Sequence, residues 1–151
     1  MRIAVACDHS ALAHKRAIIA HLIGLGHQVE DFGTDSEASC DYPDFAGPAC
    51  ESVAKGANGA AIVVCGSGIG VSIVANKVPG IRCALAHSVD TARLAKEHNN
   101  AQALALGARI VTIDTALAMV DAWLNATFEN RHQRRLDKIA ARDCTVPPAK
   151  R

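Results

Sequence analysis

The chain is predicted to be an α/β protein: a single Rossmann-like, three-layer α/β/α domain with a five-stranded parallel sheet. Short apolar runs alternate with segments of helical periodicity along the chain, the pattern of repeated β–α units. Only 3% of the residues are aromatic although 50% are hydrophobic, so the core must consist mainly of Ala, Val, Ile and Leu. The length of 151 residues suits one domain with its own core.

The first part of the chain contains two strand patterns and two helix patterns. Residues 3–6 are a short apolar run, predicted as the first strand. Residues 11–25 carry apolar side chains at helical spacing and end among glycines, so we expect a helix there. The second strand is predicted at 27–31, and a second helix at 44–55 follows an Asp-Tyr-Pro segment.

The middle of the chain is the clearest in pattern. Residues 60–64 are uniformly apolar, as in a strand buried on both faces. A glycine-rich loop follows, and apolar residues at helical spacing predict a helix over 69–76. Residues 82–86 are predicted as the fourth strand. Ser88 is expected to cap the next helix, which runs to about His98.

The last part of the chain offers two candidate segments for the fifth strand, 103–106 and 110–113, and the sequence does not decide between them. Helices are predicted over 115–124 and 129–142. The prolines near the end predict a loose tail.

We expect a domain over 1–144, a tail over 145–151 and the strand order 2-1-3-4-5. In such sheets, ligands bind where the order reverses, at the carboxyl ends of strands one and three.

Composition narrows the class of protein. A formal net charge of +1 gives no general attraction to nucleic acid or membranes. The chain enters a strand just after Met1 without a signal-peptide pattern, and no apolar run is long enough for a membrane span, so we expect a cytoplasmic protein. Its six cysteines should then be reduced, and none shows Cys-x-x-Cys or zinc-type spacing. Most are expected to be core residues; Cys7 and Cys65 stand apart because they lie at strand ends.

The loop 65–70 carries the strongest functional signal. Strand, glycine loop and helix together aim backbone N–H groups at an anion. Cys65 at the rim lies in a positive local field, which raises its thiolate fraction and suits it to proton abstraction beside a carbonyl. The Gly-x-Gly-x-Gly spacing fits neither a dinucleotide fingerprint nor a phosphate loop of the nucleotide-binding type. The structural alternative is a tight turn whose glycines serve packing.

Three other features have both a functional and a structural interpretation. Asp8 and His9 follow strand one and should approach Cys65, but they also fit a helix cap and an exposed histidine. His98 ends a helix, where a histidine complements the helix dipole. Arg131 and Arg135 share a helix face, which suits either a phosphate fork or a solvated surface.

These motifs, in this order, resemble the sugar-phosphate isomerase family that includes type B ribose-5-phosphate isomerases and the galactose-6-phosphate isomerase subunits. The resemblance extends from Ile3 to about Ile139. The motifs that carry it are Cys7-Asp8-His9, Asp41-Tyr42-Pro43, Cys65-Gly66-Ser67-Gly68-Ile69-Gly70, Ala75-Asn76-Lys77, Gly80-Ile81-Arg82, Glu97-His98-Asn99, Leu106-Gly107-Ala108-Arg109 and Arg131-His132-Gln133-Arg134-Arg135.

The resemblance implies a role for each site residue. Cys65 would move a proton between C1 and C2 of the open sugar, and Ser67, where many relatives have threonine, would move protons between O1 and O2. His98 would open the furanose ring, with Asp8 orienting the sugar. The backbone N–H groups that would stabilise the enediolate belong to Gly66, Ser67, Gly68, Ile69 and Gly70. The residues that would bind phosphate are His9, Arg131 and Arg135; further substrate contacts would come from Tyr42, Asn99 and Arg109.

The predicted function is interconversion of ribose 5-phosphate and ribulose 5-phosphate, without cofactor or metal. The resemblance also implies a homodimer with sites shared between subunits, and the sequence leaves dimer or tetramer open. Alternatives are a tetrose or hexose phosphate substrate, such as allose 6-phosphate or galactose 6-phosphate, and a non-catalytic sugar-phosphate-binding protein.

Overall fold

The protein is described here from a computed structural model, over residues 1–143. The predicted tail, 145–151, lies outside the described residues. The sheet has five strands, and every pairing is parallel. The strands are β1 (Arg2–Cys7), β2 (Gln28–Asp31), β3 (Ala60–Cys65), β4 (Cys83–Leu85) and β5 (Ala103–Gly107). The helices are α1 (Leu12–Gly24), α2 (Pro43–Ala54), α3 (Ile69–Ala75), α4 (Val89–Asn99), α5 (Ile113–Asn125) and α6 (Gln133–Ala140).

The sheet has a hydrophobic core on each face, which confirms the three-layer prediction. Side chains alternate along a strand, so Ile3 and Val5 enter one core while Ala4 and Ala6 enter the other. Helices α1, α4 and α5 cover the first face, where Trp123 is the largest buried side chain. Helices α2 and α3 cover the second face, whose core is rich in alanine and valine.

The order of the last two strands corrects the prediction: the sheet runs β2-β1-β3-β5-β4 rather than 2-1-3-4-5. β5 pairs with β3 in a register that sets Gly107 beside Cys65. Every residue of β5 is buried, so it suits a position with a strand on either side. β4 has three half-buried residues and pairs with β5 at the edge, where a short strand leaves few unpaired groups.

Two other boundaries were decided by the structure. The fifth strand is β5, and of the alternative segment 110–113 the last residue begins α5. The predicted helix over 129–142 is divided into a 3₁₀ turn, Asn130–His132, and α6. Among the described residues, no helix combines the length and apolar character needed to cross a bilayer.

Candidate active site

A cavity of about 660 Å³ opens at the carboxyl ends of β1 and β3. These strands are adjacent in the sheet although more than fifty residues separate them in sequence, because β1 lies between β2 and β3. The correction to the order of β4 and β5 leaves this crevice unchanged. The residues that line it are Asp8, His9, Ser10, Tyr42, Cys65, Gly66, Ser67, Ile69, Gly70, Ile73, Arg109 and Ile110.

Cys65 lies at the base of the cavity, with 4% of its surface exposed. The backbone N–H of Gly68 donates to its Sγ at 3.2 Å. Gly68 has a φ of 78°, and a Cβ there would lie 2.6 Å from Leu85 Cδ1 and 2.8 Å from the carbonyl carbon of Leu106. Glycine at this position is therefore required both by backbone conformation and by close packing. The loop that the sequence singled out is built around the sulfur.

The loop is joined to the segment after β5. The N–H groups of Ala108 and Arg109 donate to the carbonyls of Cys65 and Gly66, both at 2.9 Å. This pairing brings the Arg109 guanidinium to 3.4 Å from the place where a Gly66 Cβ would stand. Ser67 Oγ accepts the Ile69 N–H at 3.2 Å. A guanidinium and a hydroxyl thus lie at the same rim as the thiol.

The segment after β1 supplies a buried acid and a histidine. The Asp8 carboxylate, 7% exposed, accepts from the N–H and the hydroxyl of Ser10 at 3.0 and 2.6 Å, so it also caps the 3₁₀ turn His9–Ala11. His9 Nδ1 accepts the backbone N–H of Cys40 at 3.2 Å. In the neutral ring the proton is therefore on Nε2, which makes that nitrogen a donor.

Tyr42 and Gly70 are in close contact across the cavity. A Cβ on Gly70 would lie 2.5 Å from Tyr42 Cζ, so the ring lies directly against the glycine backbone. Cys7, at the neighbouring strand end, has a different character from Cys65. Burial raises the pKa of Cys7 to about 12, so it is a neutral core thiol at neutral pH.

A second cluster, the basic cluster, lies outside this cavity. It comprises His98, Glu129, Arg131, His132 and Arg135. Arg131 donates to Glu129 Oε2 from both Nε (2.6 Å) and Nη2 (2.5 Å), and this hydrogen bonding lowers the pKa of Glu129. The rings of His98 and His132 lie 4.4 Å apart between centroids. Burial, and then the positive charge of Arg131, lower the pKa of His132.

Three members of the basic cluster have donor atoms within metal-binding distance of one another. One atom each from His98, Glu129 and His132 lies within 4.8 Å of the others. However, Arg131 already donates to the carboxylate, and Arg135 Nη1 donates to His132 Nδ1 at 3.0 Å. Both positive groups face these ligands, so the cluster is better suited to an anion than to a cation.

The predicted site residues therefore fall into separate places within one chain. Gly68 is not among the residues that line the cavity and contributes through its N–H, which donates to Cys65 Sγ. Asn99 contributes to a different cavity of about 320 Å³, where its carbonyl accepts Arg82 Nε at 2.9 Å. Residues that sequence reasoning missed are Ser10, Ile73 and Ile110 in the cavity, and Glu129 and His132 in the basic cluster. Only Glu129 and His132 had a detectable signal, because their three-residue spacing places them on one side of a helical turn.

Comparisons with known proteins bear on this arrangement. Residues 3–139 match the family model described as Ribose/Galactose Isomerase. This chain belongs to the Ribose/Galactose Isomerase family. The resemblance found in the motifs is confirmed, as is the prediction that the chain is an aldose–ketose isomerase.

Relatives within the family match along nearly their whole length. Ribose-5-phosphate isomerase B of Mycolicibacterium paratuberculosis is 46% identical over 153 residues, covering 98% of this chain and 96% of the relative. Ribose-5-phosphate isomerase B of Escherichia coli is 42% identical over 141 residues, covering 93% and 95%.

Solved structures of the family have the same fold. Ribose-5-phosphate isomerase B of Clostridium thermocellum superposes with a TM-score of 0.92 at 46% identity, covering 95% of this chain and 97% of that one. The enzyme of Mycoplasma genitalium, solved with bound ribulose-5-phosphate, gives a TM-score of 0.92 at 40% identity, covering 96% and 97%.

Proposed function

We propose that this chain interconverts D-ribose 5-phosphate and D-ribulose 5-phosphate through an enediolate, with Cys65 as the carbon base. The observation that carries the proposal is the position of Cys65 Sγ: it lies at the base of the cavity and accepts the Gly68 N–H. Two relatives named ribose-5-phosphate isomerase B, and a third with ribulose-5-phosphate bound, support the choice of sugar.

The chemistry needs one base and no change in overall oxidation state. The Cys65 thiolate takes the proton from C2 of the open aldose, and the electron pair forms a C1–C2 double bond while negative charge moves to O1. Ser67 transfers a proton between O2 and O1. The thiol then returns its proton to C1, which gives the ketose and regenerates the thiolate. The backbone N–H groups of 66–70 stabilise the enediolate, and two of them also hold the reacting side chains, since Gly68 donates to Cys65 Sγ and Ile69 to Ser67 Oγ.

The other cavity residues are proposed to hold the sugar. Asp8, fixed by Ser10, orients hydroxyl groups, and Tyr42 lies beside the chain of the sugar. His9 donates from Nε2 because Cys40 occupies its Nδ1. Arg109 contributes a guanidinium at the same rim.

A second copy of the chain is proposed to complete the site. The residues expected to open the ring and bind phosphate, His98, Arg131 and Arg135, lie outside the cavity that holds Cys65. Apolar side chains around that cavity are exposed to an unusual degree: Ile69 is 54% exposed, Ile73 56% and Ile110 57%. A partner covering them would bury apolar surface and bring its own His98, Asn99 and arginines over Cys65.

The proposed location is the cytoplasm. The described cysteines, Cys7, Cys40, Cys50, Cys65 and Cys83, are all free thiols, which supports a reducing compartment.

The test is a turnover assay of purified protein with tetrose, pentose and hexose phosphates, run in the presence of EDTA. We expect ribose 5-phosphate to give the highest kcat/KM. If a tetrose or hexose phosphate were preferred, the proposed substrate would be wrong and the proposed aldose–ketose isomerisation would stand. Binding of all the sugars without turnover would favour a non-catalytic sugar-phosphate-binding protein.

A further inference from the structure

We propose that Glu129 competes with the substrate phosphate for Arg131 and so sets how tightly the enzyme holds its phosphorylated sugars. The proposal rests on the proposed function, in which Arg131 is a phosphate ligand. In the structure the Nε and Nη2 of Arg131 both donate to Glu129 Oε2. A guanidinium uses the same fork of donors to bind phosphate. Two anions therefore compete for one set of donors.

Glu129 also places a negative charge where the phosphate would arrive. Its Oε2 lies 4.0 Å from His98 Nε2 and 3.5 Å from His132 Nε2, so the carboxylate is surrounded by basic side chains. The hydrogen bond from Arg131 lowers the pKa of Glu129, which keeps the carboxylate ionised at neutral pH. A phosphate ester carries nearly two negative charges at that pH and is repelled by it.

His132 shows that the carboxylate does not fully satisfy the basic cluster. Arg135 donates to His132 Nδ1, so in the neutral ring the proton is on Nε2. His132 is 8% exposed, and its buried Nε2 has no hydrogen-bond partner. A buried donor without an acceptor is unfavourable. The oxygens of a phosphate point in several directions, so a phosphate could accept from Arg131 and from the His132 Nε2–H together. The Glu129 carboxylate accepts from Arg131 alone of these two donors.

The effect of Glu129 on KM and kcat can be predicted because proton transfer takes place at C1 and C2, at the end of the sugar opposite the phosphate. The phosphate is identical in substrate and product and takes no part in proton transfer, so its binding energy is the same in the ground state and the transition state. A residue that weakens such binding raises KM and leaves kcat unchanged. Glu129→Gln should therefore lower KM without changing kcat.

The experiment measures inorganic phosphate binding by titration calorimetry and, separately, sugar kinetics. Glu129→Gln should lower the Kd for phosphate by about two- to fivefold, as expected for loss of a partly exposed ion pair. Glu97→Gln is the matched control, because Glu97 is also held by an arginine, Arg93, rather than by Arg131. In an Arg131→Ala background, Glu129→Gln should lower the Kd by a smaller factor, because the competition for Arg131 is gone and only the direct repulsion between carboxylate and phosphate is relieved.

An unchanged Kd in Glu129→Gln, or an equal change in Glu97→Gln, would overturn the proposal. So would a change in kcat with no change in phosphate affinity, because Glu129 would then act on His98. Calorimetry requires no turnover, which separates the proposal from the proposed function. Tighter phosphate binding in a protein without isomerase activity would leave the competition intact and reject the reaction.

Discussion

The Gly68 N–H and the Cys65 Sγ are 3.2 Å apart, which links the two halves of the strand-to-loop junction by one hydrogen bond. The donor residue, Gly68, has a φ of 78°, a backbone conformation that favours glycine. The sulfur is consequently fixed at the base of the cavity beside the donors of the loop. The first prediction concerns this atom.

Cys65→Ala should abolish isomerisation and the exchange of solvent deuterium into the sugar carbon, because no other group takes the carbon proton. Sugar-phosphate binding, measured by calorimetry, should persist. Cys83→Ala is the control, since Cys83 lies on β4 beside the other, smaller cavity, and it should retain full turnover. Substantial activity in Cys65→Ala would reject the thiol as base.

Gly70→Ala should disturb Tyr42 rather than the fold. The new Cβ would lie 2.5 Å from Tyr42 Cζ, and the ring, which is 36% exposed, has room to move away. Losing an aromatic contact with substrate should raise KM about two- to tenfold. In Gly47→Ala the new Cβ comes no closer than 3.9 Å to Val74, so KM should stay the same. Equal KM values for both variants would remove Tyr42 from the substrate site.

Arg131→Ala or Arg135→Ala should raise KM by about one to two decades, because hydrogen bonds to charged groups are each worth about 1.5–3 kcal/mol. Thermal unfolding should change little, since Arg131 is exposed. Arg134→Ala removes the same charge from α6, the helix that carries Arg135, and should leave KM close to that of the wild type. If all three variants raised KM equally, general charge rather than a phosphate site would explain the effect.

Mixing two inactive variants tests whether the site is shared. Cys65→Ala keeps its arginines, and a variant that lacks both Arg131 and Arg135 keeps Cys65. In a mixed dimer one of the two sites would contain all three residues, so activity should return after subunit exchange. Exchange is confirmed by native mass spectrometry of the mixture. Exchanged but inactive mixtures would place Cys65 and the arginines of the same subunit in one site.

Asp35→Asn should lower the stability of the fold at neutral pH and change it less in acid. Lys15 Nζ donates to Asp35 Oδ1 at 2.9 Å, and this bond lowers the pKa of Asp35. The ionised carboxylate therefore stabilises the fold above the ordinary aspartate pKa, and this contribution disappears as pH falls through the lowered one. Urea unfolding should find the variant less stable at neutral pH and the difference smaller in acid. Asp90→Asn is the control for loss of a surface carboxylate. If the stability difference between Asp35→Asn and the wild type did not depend on pH, the bond from Lys15 to the ionised Asp35 would not be its cause.

The sequence predicted the features that depend on local pattern. Residues 60–64 are apolar without interruption, and they form a strand buried on both faces. The spacing of glycines after Cys65 predicted a strand-to-helix loop, and the polar segment at Asp8 lies in the same cavity because β1 and β3 are neighbours. Such patterns report whether a short segment is buried and which backbone conformations it allows, and these are properties of adjacent residues.

Tertiary structure alone decided which distant groups meet. β5 lies between β3 and β4, whereas the predicted order placed the fourth strand there. This position depends on the burial of the whole of β5, because a fully buried strand is stabilised by a neighbouring strand on each side. The approach of Glu129 to His98, and the hydrogen bond from the Cys40 N–H to His9, join segments whose spacing in the sequence shows no pattern. Their pairing is set by the packed chain, because the free energy of a contact between remote residues depends on every element that brings them together.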